Sequence, residues 1–157
     1  MKFIMKTHGA EAMSGWFFYA VGAAILYGAH QIFTKMASER ISDGLGGFAV
    51  EAAATTTILL YLLWLRFAGN WNQTSSAAGI FYSVLTGICV GVGTIFFFVL
   101  FQRGGPLSAV PMILAGGAGI MAAAGIVFFK EPLAIPRLAG IALALAGMLL
   151  LRAPAGK

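Results

Sequence analysis

Five apolar stretches, separated by short polar segments, occupy most of this chain of 157 residues. At about 1.5 Å of rise per residue, each is long enough, or nearly so, to cross a hydrocarbon core about 30 Å thick. Because lipid offers no hydrogen-bond partners to a peptide backbone, such stretches must fold as helices. We therefore predict an all-α integral membrane protein with five transmembrane helices. The stretches are Trp16–Met36, Phe48–Phe67, Ala77–Phe101, Leu107–Phe129 and Leu133–Leu151.

The composition excludes an ordinary soluble domain. Hydrophobic residues make up 60% of the chain and charged residues 10%, whereas soluble domains carry about 25% charged residues. We expect one transmembrane domain over residues 14–152, an N-terminal tail at 1–13 and a C-terminal tail at 153–157. The net charge of +5 comes from basic residues placed singly beside the stretches, as anchors for lipid headgroups are. The expected partner is the lipid bilayer, and no nucleic acid is expected.

The basic residues are divided evenly between the two faces of the membrane. Orientation normally follows an excess of Lys and Arg on the cytoplasmic side. Without that excess a chain can insert both ways, and two opposed copies form the inverted pair on which many transporters are built. A few charges near the span ends would instead fix one orientation, and both interpretations stay open. One face carries Lys2, Lys6, Arg66, Lys130 and Arg137, and the other carries Lys35, Arg40, Arg103, Arg152 and Lys157.

The first span carries a polar face. Polar side chains inside a membrane are costly and often mark a transport pathway, and the helical spacing places five of them on one side. One interpretation is a lining for a solute path, in which the histidine takes up a proton near neutral pH. In the other, the lysine anchors the span end and the histidine only bonds within the bundle. The predicted substrate-binding residues of this span are Tyr27, His30, Gln31, Thr34 and Lys35.

Glu51 lies about one turn into the second span, and Thr55 follows one turn deeper on the same face. A carboxyl group at this depth is either neutral, paired with Lys35 or coupled to proton movement. Snorkelling towards the membrane surface is the remaining interpretation. We include both Glu51 and Thr55 in the predicted substrate-binding set.

The later spans are apolar and rich in small residues, which let helices approach closely for packing or dimerisation. Gly87 and Gly91 have the GxxxG spacing, and Cys89 between them is expected to be a buried structural thiol. Pro111 removes a helix hydrogen bond and is expected to kink the fourth span.

No catalytic arrangement is present in the sequence. There is no Ser–His–acid set in a suggestive context, no phosphate-cradling glycine loop and no pair of intramembrane carboxylates. We therefore expect a protein that is not an enzyme and that needs no cofactor and no metal.

Three segments resemble a single EamA-like repeat of the drug/metabolite transporter superfamily. The first is AILYGAHQIFTK at Ala24–Lys35, which is similar to the aromatic first helix ending in lysine. The second is GGPLSAVPMIL at Gly104–Leu114, similar to the loop and kinked fourth helix. The third is FFKEPLAIPRLAGIALALAGMLLLR at Phe128–Arg152, similar to the final turn and helix. The resemblance extends from about residue 16 to residue 152.

The resemblance implies a half-size member of that superfamily, with one repeat where most members have two. Such members imply a dimer, either a homodimer, which can be antiparallel, or a pair with a paralogous half-size partner. The implied function is a secondary transporter in the bacterial inner membrane that exports a small organic metabolite or drug-like solute by alternating access. The alternatives are a flippase subunit for a lipid-linked precursor and a non-transporting membrane subunit of a larger complex.

Three features depart from the pattern of the family. Met112, Ile113 and Leu114, which follow Pro111, are apolar where some half-size relatives have polar residues. Lys130 stands where the family often has glycine, and Glu51 stands near where a basic residue often begins the second helix. The resemblance therefore leaves the identity of the substrate and of any coupling ion open.

Overall fold

The computed structural model describes residues 8–130 and 135–151, and the regular structure within these ranges is helical. Four of the helices are long and apolar enough to cross a membrane, the first of them over Trp16–Ser38. The prediction of an all-α membrane protein is confirmed at that level. The fifth span stays a prediction, since its helix has 17 described residues and Leu133 lies outside the described ranges. The helices are α1 (His8–Ser38), α2 (Asp43–Phe67), α3 (Ala77–Gln102), α4 (Ala109–Val127) and α5 (Ile135–Leu151).

The helix ends follow local chemistry. Helix α1 begins at His8, inside the segment expected to be a tail. Helix α2 ends in a turn in which Gly69 has a φ of +72° and the Asn70 amide donates to the Leu65 carbonyl at 3.0 Å. This pattern is a Schellman cap, which needs a left-handed residue and therefore favours glycine. At the start of α3 the Ser76 hydroxyl accepts a hydrogen bond from the Gly79 amide at 3.1 Å, as an N-cap does.

The chain divides into two compact units, Met1–Arg103 and Gly104–Lys157. In the first unit, the described residues that are buried lie at the end where α1 ends, α2 begins and α3 ends, with Leu65 as the exception. We call this region the packed end. In contrast, residues 52–61 and 77–90 are exposed. Cys89 lies in the second of these ranges, so the expectation that it is buried was wrong for the isolated chain. The buried residues of the packed end are Gln31, Thr34, Ser38, Gly46, Gly47, Thr94, Phe98 and Phe101.

Helices α2 and α3 pack antiparallel at the packed end through glycine. The Phe98 side chain is 0% exposed, and its ring lies so close to Gly46 that a Cβ there would overlap it. One residue further along α2, a Cβ on Gly47 would lie 3.3 Å from Ile95 Cγ1. The absence of side chains at Gly46 and Gly47 is therefore what allows this close approach of the two helices.

In the second unit, α4 packs against α5. Pro111 is the third residue of α4, which corrects the expectation of a kinked span. The first four amides of a helix have no intrahelical acceptor, so a proline in the first turn removes no hydrogen bond. The Ala109 and Val110 amides donate to Pro106 and Leu107 in a tight turn just before it.

Lys130 follows α4 with a φ of +51°, a left-handed conformation that disfavours any residue with a Cβ. We expect Lys130→Gly to raise the free energy of unfolding by about 0.5–1 kcal/mol, because glycine adopts this conformation without strain. Reversible unfolding in detergent by SDS titration measures the difference. Lys130→Ala is the matched control: it removes the same charge but keeps the Cβ, so it should give no gain. An equal gain from both variants would assign the effect to charge and contradict the conformational explanation.

Candidate functional site

The predicted polar face of α1 is divided between buried and exposed positions. Gln31 and Thr34 are buried, with exposures of 7% and 2%, whereas Tyr27 is 68% exposed. His30 and Lys35 are half-buried. The Thr34 hydroxyl donates to the His30 carbonyl at 2.9 Å, so its hydrogen-bonding capacity is used within its own helix. The Tyr27 and His30 rings meet edge to face, with their centres 6.5 Å apart.

Lys35 belongs to the packed end. Its ammonium group lies 3.4 Å from Glu39 Oε1 and 5.6 Å from the centre of the Phe101 ring. A cation over an aromatic face is attracted by the ring quadrupole. Of the alternatives considered for Glu51, the ion pair with Lys35 is not the one formed.

Glu51 is joined to α3 by a hydrogen bond to Thr94. The Thr94 Oγ1 lies 2.7 Å from Glu51 Oε1 and 3.0 Å from the Val90 carbonyl, so one hydroxyl proton is shared between two acceptors. Thr94 is 5% exposed. The sequence analysis missed it, because a single threonine in an apolar span has no distinguishing pattern. Its spacing from Phe98 and Phe101, at i, i+4 and i+7, is the signal that places it on the same face as these two buried rings.

His30, Glu51 and Thr94 are each eight residues from the nearest terminus of their own helix, at Ser38, Asp43 and Gln102, or about 12 Å along the helix axis. Glu51 and Thr94 are hydrogen-bonded to each other, and we infer from the equal spacing that His30 lies at a similar level. Gln31 adjoins His30 on α1. We call these four residues (His30, Gln31, Glu51 and Thr94) the polar layer. It lies away from the termini of three helices that are long and apolar enough to cross a membrane.

Two atoms of the polar layer, His30 Nδ1 and Gln31 Oε1, are buried without a hydrogen-bond partner among the residues that the structure describes. A buried polar group left unsatisfied costs about 1–3 kcal/mol. The Gln31 carbonyl oxygen can accept a hydrogen bond from a donor brought by another molecule, and His30 Nδ1 can accept or donate according to its tautomer. An open depression of about 130 Å³ lined by Leu26, Tyr27 and His30 adjoins the layer. The arrangement therefore offers polar contacts that the chain itself leaves unused.

Thr55 is exposed on α2, one turn further from the packed end than Glu51, and the first unit does not bring it into the polar layer. The neighbouring hydroxyls of Thr56 and Thr57 donate to the Ala52 and Ala53 carbonyls of the same helix, at 2.8 and 2.9 Å. The participation of Thr55 in substrate binding stays a prediction.

These observations define the class of the protein as a helical, multi-pass membrane protein with a partly buried polar layer in its first three helices. No family model, curated protein or solved structure matches the chain.

Proposed function

We propose that the chain is a secondary transporter of a small organic metabolite or drug-like solute. It works as a dimer by alternating access, as a half-size EamA-like member of the drug/metabolite transporter superfamily with five spans. The proposed location is the bacterial inner membrane and the proposed direction is export. The observation that carries the proposal is the polar layer, which leaves His30 Nδ1 and Gln31 Oε1 buried and unpartnered among apolar helices.

The polar groups next to the layer supply the contrast that supports a binding role. The hydroxyls of Thr34 and Ser38 donate to the His30 and Lys35 carbonyls, at 2.9 and 2.8 Å. The hydroxyl protons of these two side chains are thus used within their own helix, so neither needs an external acceptor. The layer differs because its unpaired atoms gain a partner when a solute enters. Intramembrane polar groups of this kind commonly mark a pathway.

The exposure of the first unit supports a dimer. Large apolar side chains cover α1, α2 and α3 away from the packed end; Phe18, Tyr61 and Phe81, one on each helix, are all more than half exposed. Because these side chains are exposed, the polar layer is open on one side within the first unit. A second copy placed against this side completes an enclosure. The even division of basic residues between the two membrane faces supports an opposed orientation of the copies. A paralogous half-size partner serves the same purpose.

The conformation of Lys130 supports the resemblance to the family. Its positive φ of +51° is the conformation for which glycine is suited, and glycine is the residue that the family often has at this point. At Lys130 the chain thus has the left-handed backbone conformation that suits glycine, but it carries a lysine side chain.

Gln31→Leu is expected to reduce solute efflux at least tenfold and to raise the stability of the chain by about 1 kcal/mol. The substitution removes a binding contact and, with it, the cost of an unsatisfied buried oxygen. Proteoliposomes loaded with a small-molecule extract of bacterial cells provide the measurement, with efflux of each component followed by mass spectrometry. Thr34→Val is the matched control, since the hydroxyl it removes is already satisfied within α1, and it should change efflux less than twofold.

The same experiment separates the alternatives. If no component leaves faster than from protein-free liposomes, the transporter proposal is wrong. Transfer of a long-chain lipid between leaflets, without solute efflux, would assign the chain to the flippases. A stoichiometric unrelated protein recovered after mild extraction, again without efflux, would make it a subunit of a larger complex.

A further inference from the structure

Two buried aromatic side chains lie between the polar layer and the end of α3, and the ammonium group of Lys35 lies over one of them. Phe98 and Phe101 are 0% and 2% exposed, and they lie on α3 between Thr94 and the end of the helix. We infer that the packed end is a closed gate over the polar layer, formed by Phe98, Phe101, Gly46 and Lys35. This inference rests on the proposed transport function and concerns how access to the site is regulated.

Contacts at the gate connect α3 with both other helices and with the turn between them. The Phe98 ring fits against Gly46 of α2, and the Lys35 ammonium group of α1 lies over the Phe101 ring. The Gln102 Nε2 donates to the Ile41 carbonyl at 2.9 Å, which fixes the turn between α1 and α2 to the end of α3. A solute in the polar layer cannot leave past these contacts unless they separate.

The opposite side of the layer has no comparable closure within the described part of the first unit. Residues 16–21 of α1, 52–61 of α2 and 77–90 of α3 are exposed. Within the first unit the layer is thus closed at one side and open at the other, which is the asymmetry that alternating access requires. The other state requires the packed end to open.

The contacts of the gate suit reversible opening. Gly46 has no side chain, so the Phe98 ring lies against the backbone of α2. When the gate opens, the ring can leave this position without passing a Cβ atom at residue 46. Lys35 forms both the ion pair with Glu39 and the contact with Phe101. The Lys35 side chain is 28% exposed and the Glu39 side chain is 58% exposed. Contacts at exposed sites are individually weak and readily exchanged for water.

A reversible disulfide across the gate tests the inference. A Cβ on Gly47 would lie 3.3 Å from Ile95 Cγ1, which brings the two Cβ atoms near the spacing of about 3.5–4.5 Å that a disulfide requires. The test protein carries Gly47→Cys and Ile95→Cys together with Cys89→Ser, which removes the native thiol. The two single-cysteine variants, exposed to the same oxidant, are the matched controls.

We expect oxidation to form the cross-link in more than half of the molecules, to reduce efflux from extract-loaded proteoliposomes at least tenfold, and reduction to restore it. Failure of the cross-link to form would overturn the closed state itself. A cross-linked protein that transports as fast as its reduced form would overturn the gate but leave the transport proposal standing. If the unmodified chain moves no solute, the transport proposal fails, whereas the cross-link yield still reports whether the packed end is closed.

Thiol labelling gives a second measurement that does not depend on transport or on the double variant. Thr34 is 2% exposed and belongs to the packed end, so Thr34→Cys in the Cys89→Ser chain should react slowly with a maleimide in detergent. Adding Phe98→Ala is expected to speed the labelling at least tenfold. Arg40→Cys, at an exposed position in the turn after α1, should react rapidly with and without Phe98→Ala. An unchanged rate at position 34 would contradict a gating role for Phe98.

Discussion

Gly46→Ala is expected to destabilise the chain by about 2–3 kcal/mol, because the added methyl group overlaps the Phe98 ring in the packed state. The new Cβ would lie 2.6 Å from Phe98 Cζ, and Phe98 is fully buried. Either the ring leaves its rotamer or α2 moves away from α3. SDS titration followed by circular dichroism measures the loss of unfolding free energy.

Gly44→Ala is the matched control for this prediction. Gly44 lies two residues earlier on α2 and has no atom within 4 Å of its Cβ position. Alanine is the better helix former, by about 0.5–1 kcal/mol, so Gly44→Ala should leave the stability unchanged or raise it slightly. Equal effects of the two substitutions would show that the contact between Gly46 and Phe98 does not hold the helices together.

Glu51→Gln is expected to abolish the response of solute efflux to an imposed pH gradient, with at least a tenfold loss of the gradient-driven rate. The glutamine carbonyl can still accept the Thr94 hydroxyl, so the link between α2 and α3 is kept. It cannot release or take up a proton, so any coupling through this position is lost. Proteoliposomes loaded with the cell extract, with and without a pH difference across the membrane, provide the measurement. The expected loss corresponds to at least about 1.4 kcal/mol in the barrier.

Two further variants define this prediction. Asp43→Asn changes a carboxyl group on the same helix, eight residues before Glu51 and at the packed end, and should leave the gradient dependence unchanged. His30→Ala tests the other titratable side chain of the polar layer. If Glu51→Gln responds to the gradient as the unmodified chain does and His30→Ala does not, the histidine carries the proton. Normal responses from both would show that neither Glu51 nor His30 couples efflux to protons.

The helices could be predicted from the sequence because lipid leaves the backbone few choices. Apolar stretches such as Ala77–Phe101 must form helices to satisfy their amides, and α3 indeed covers Ala77–Gln102. How burial varies along one apolar stretch was harder to predict from the sequence. Cys89 and Thr94 lie in the same span, yet one is exposed and the other is 5% exposed.

The candidate site was predicted in part. The spacing of His30, Gln31 and Thr34 identified a polar face on α1, but spacing alone cannot say which of these hydroxyls and amides their own helix satisfies. Thr34 turned out to be bonded within α1, and Gln31 retains an unpartnered oxygen. The partner of Glu51 was out of reach of any local pattern, because Thr94 is 43 residues away along the chain.

The sequence by itself determined that this chain is a helical membrane protein, where four of its long apolar helices lie and which of them carry polar groups, because these properties depend on local hydrophobicity and on backbone hydrogen bonding. Only the tertiary structure decided that Glu51 bonds with Thr94 rather than Lys35, that Pro111 falls in the first turn of α4 and that Phe98 packs on Gly46. These outcomes depend on the exact ends of the helices and on their distance and rotation relative to one another, which are set by packing between segments far apart in the chain.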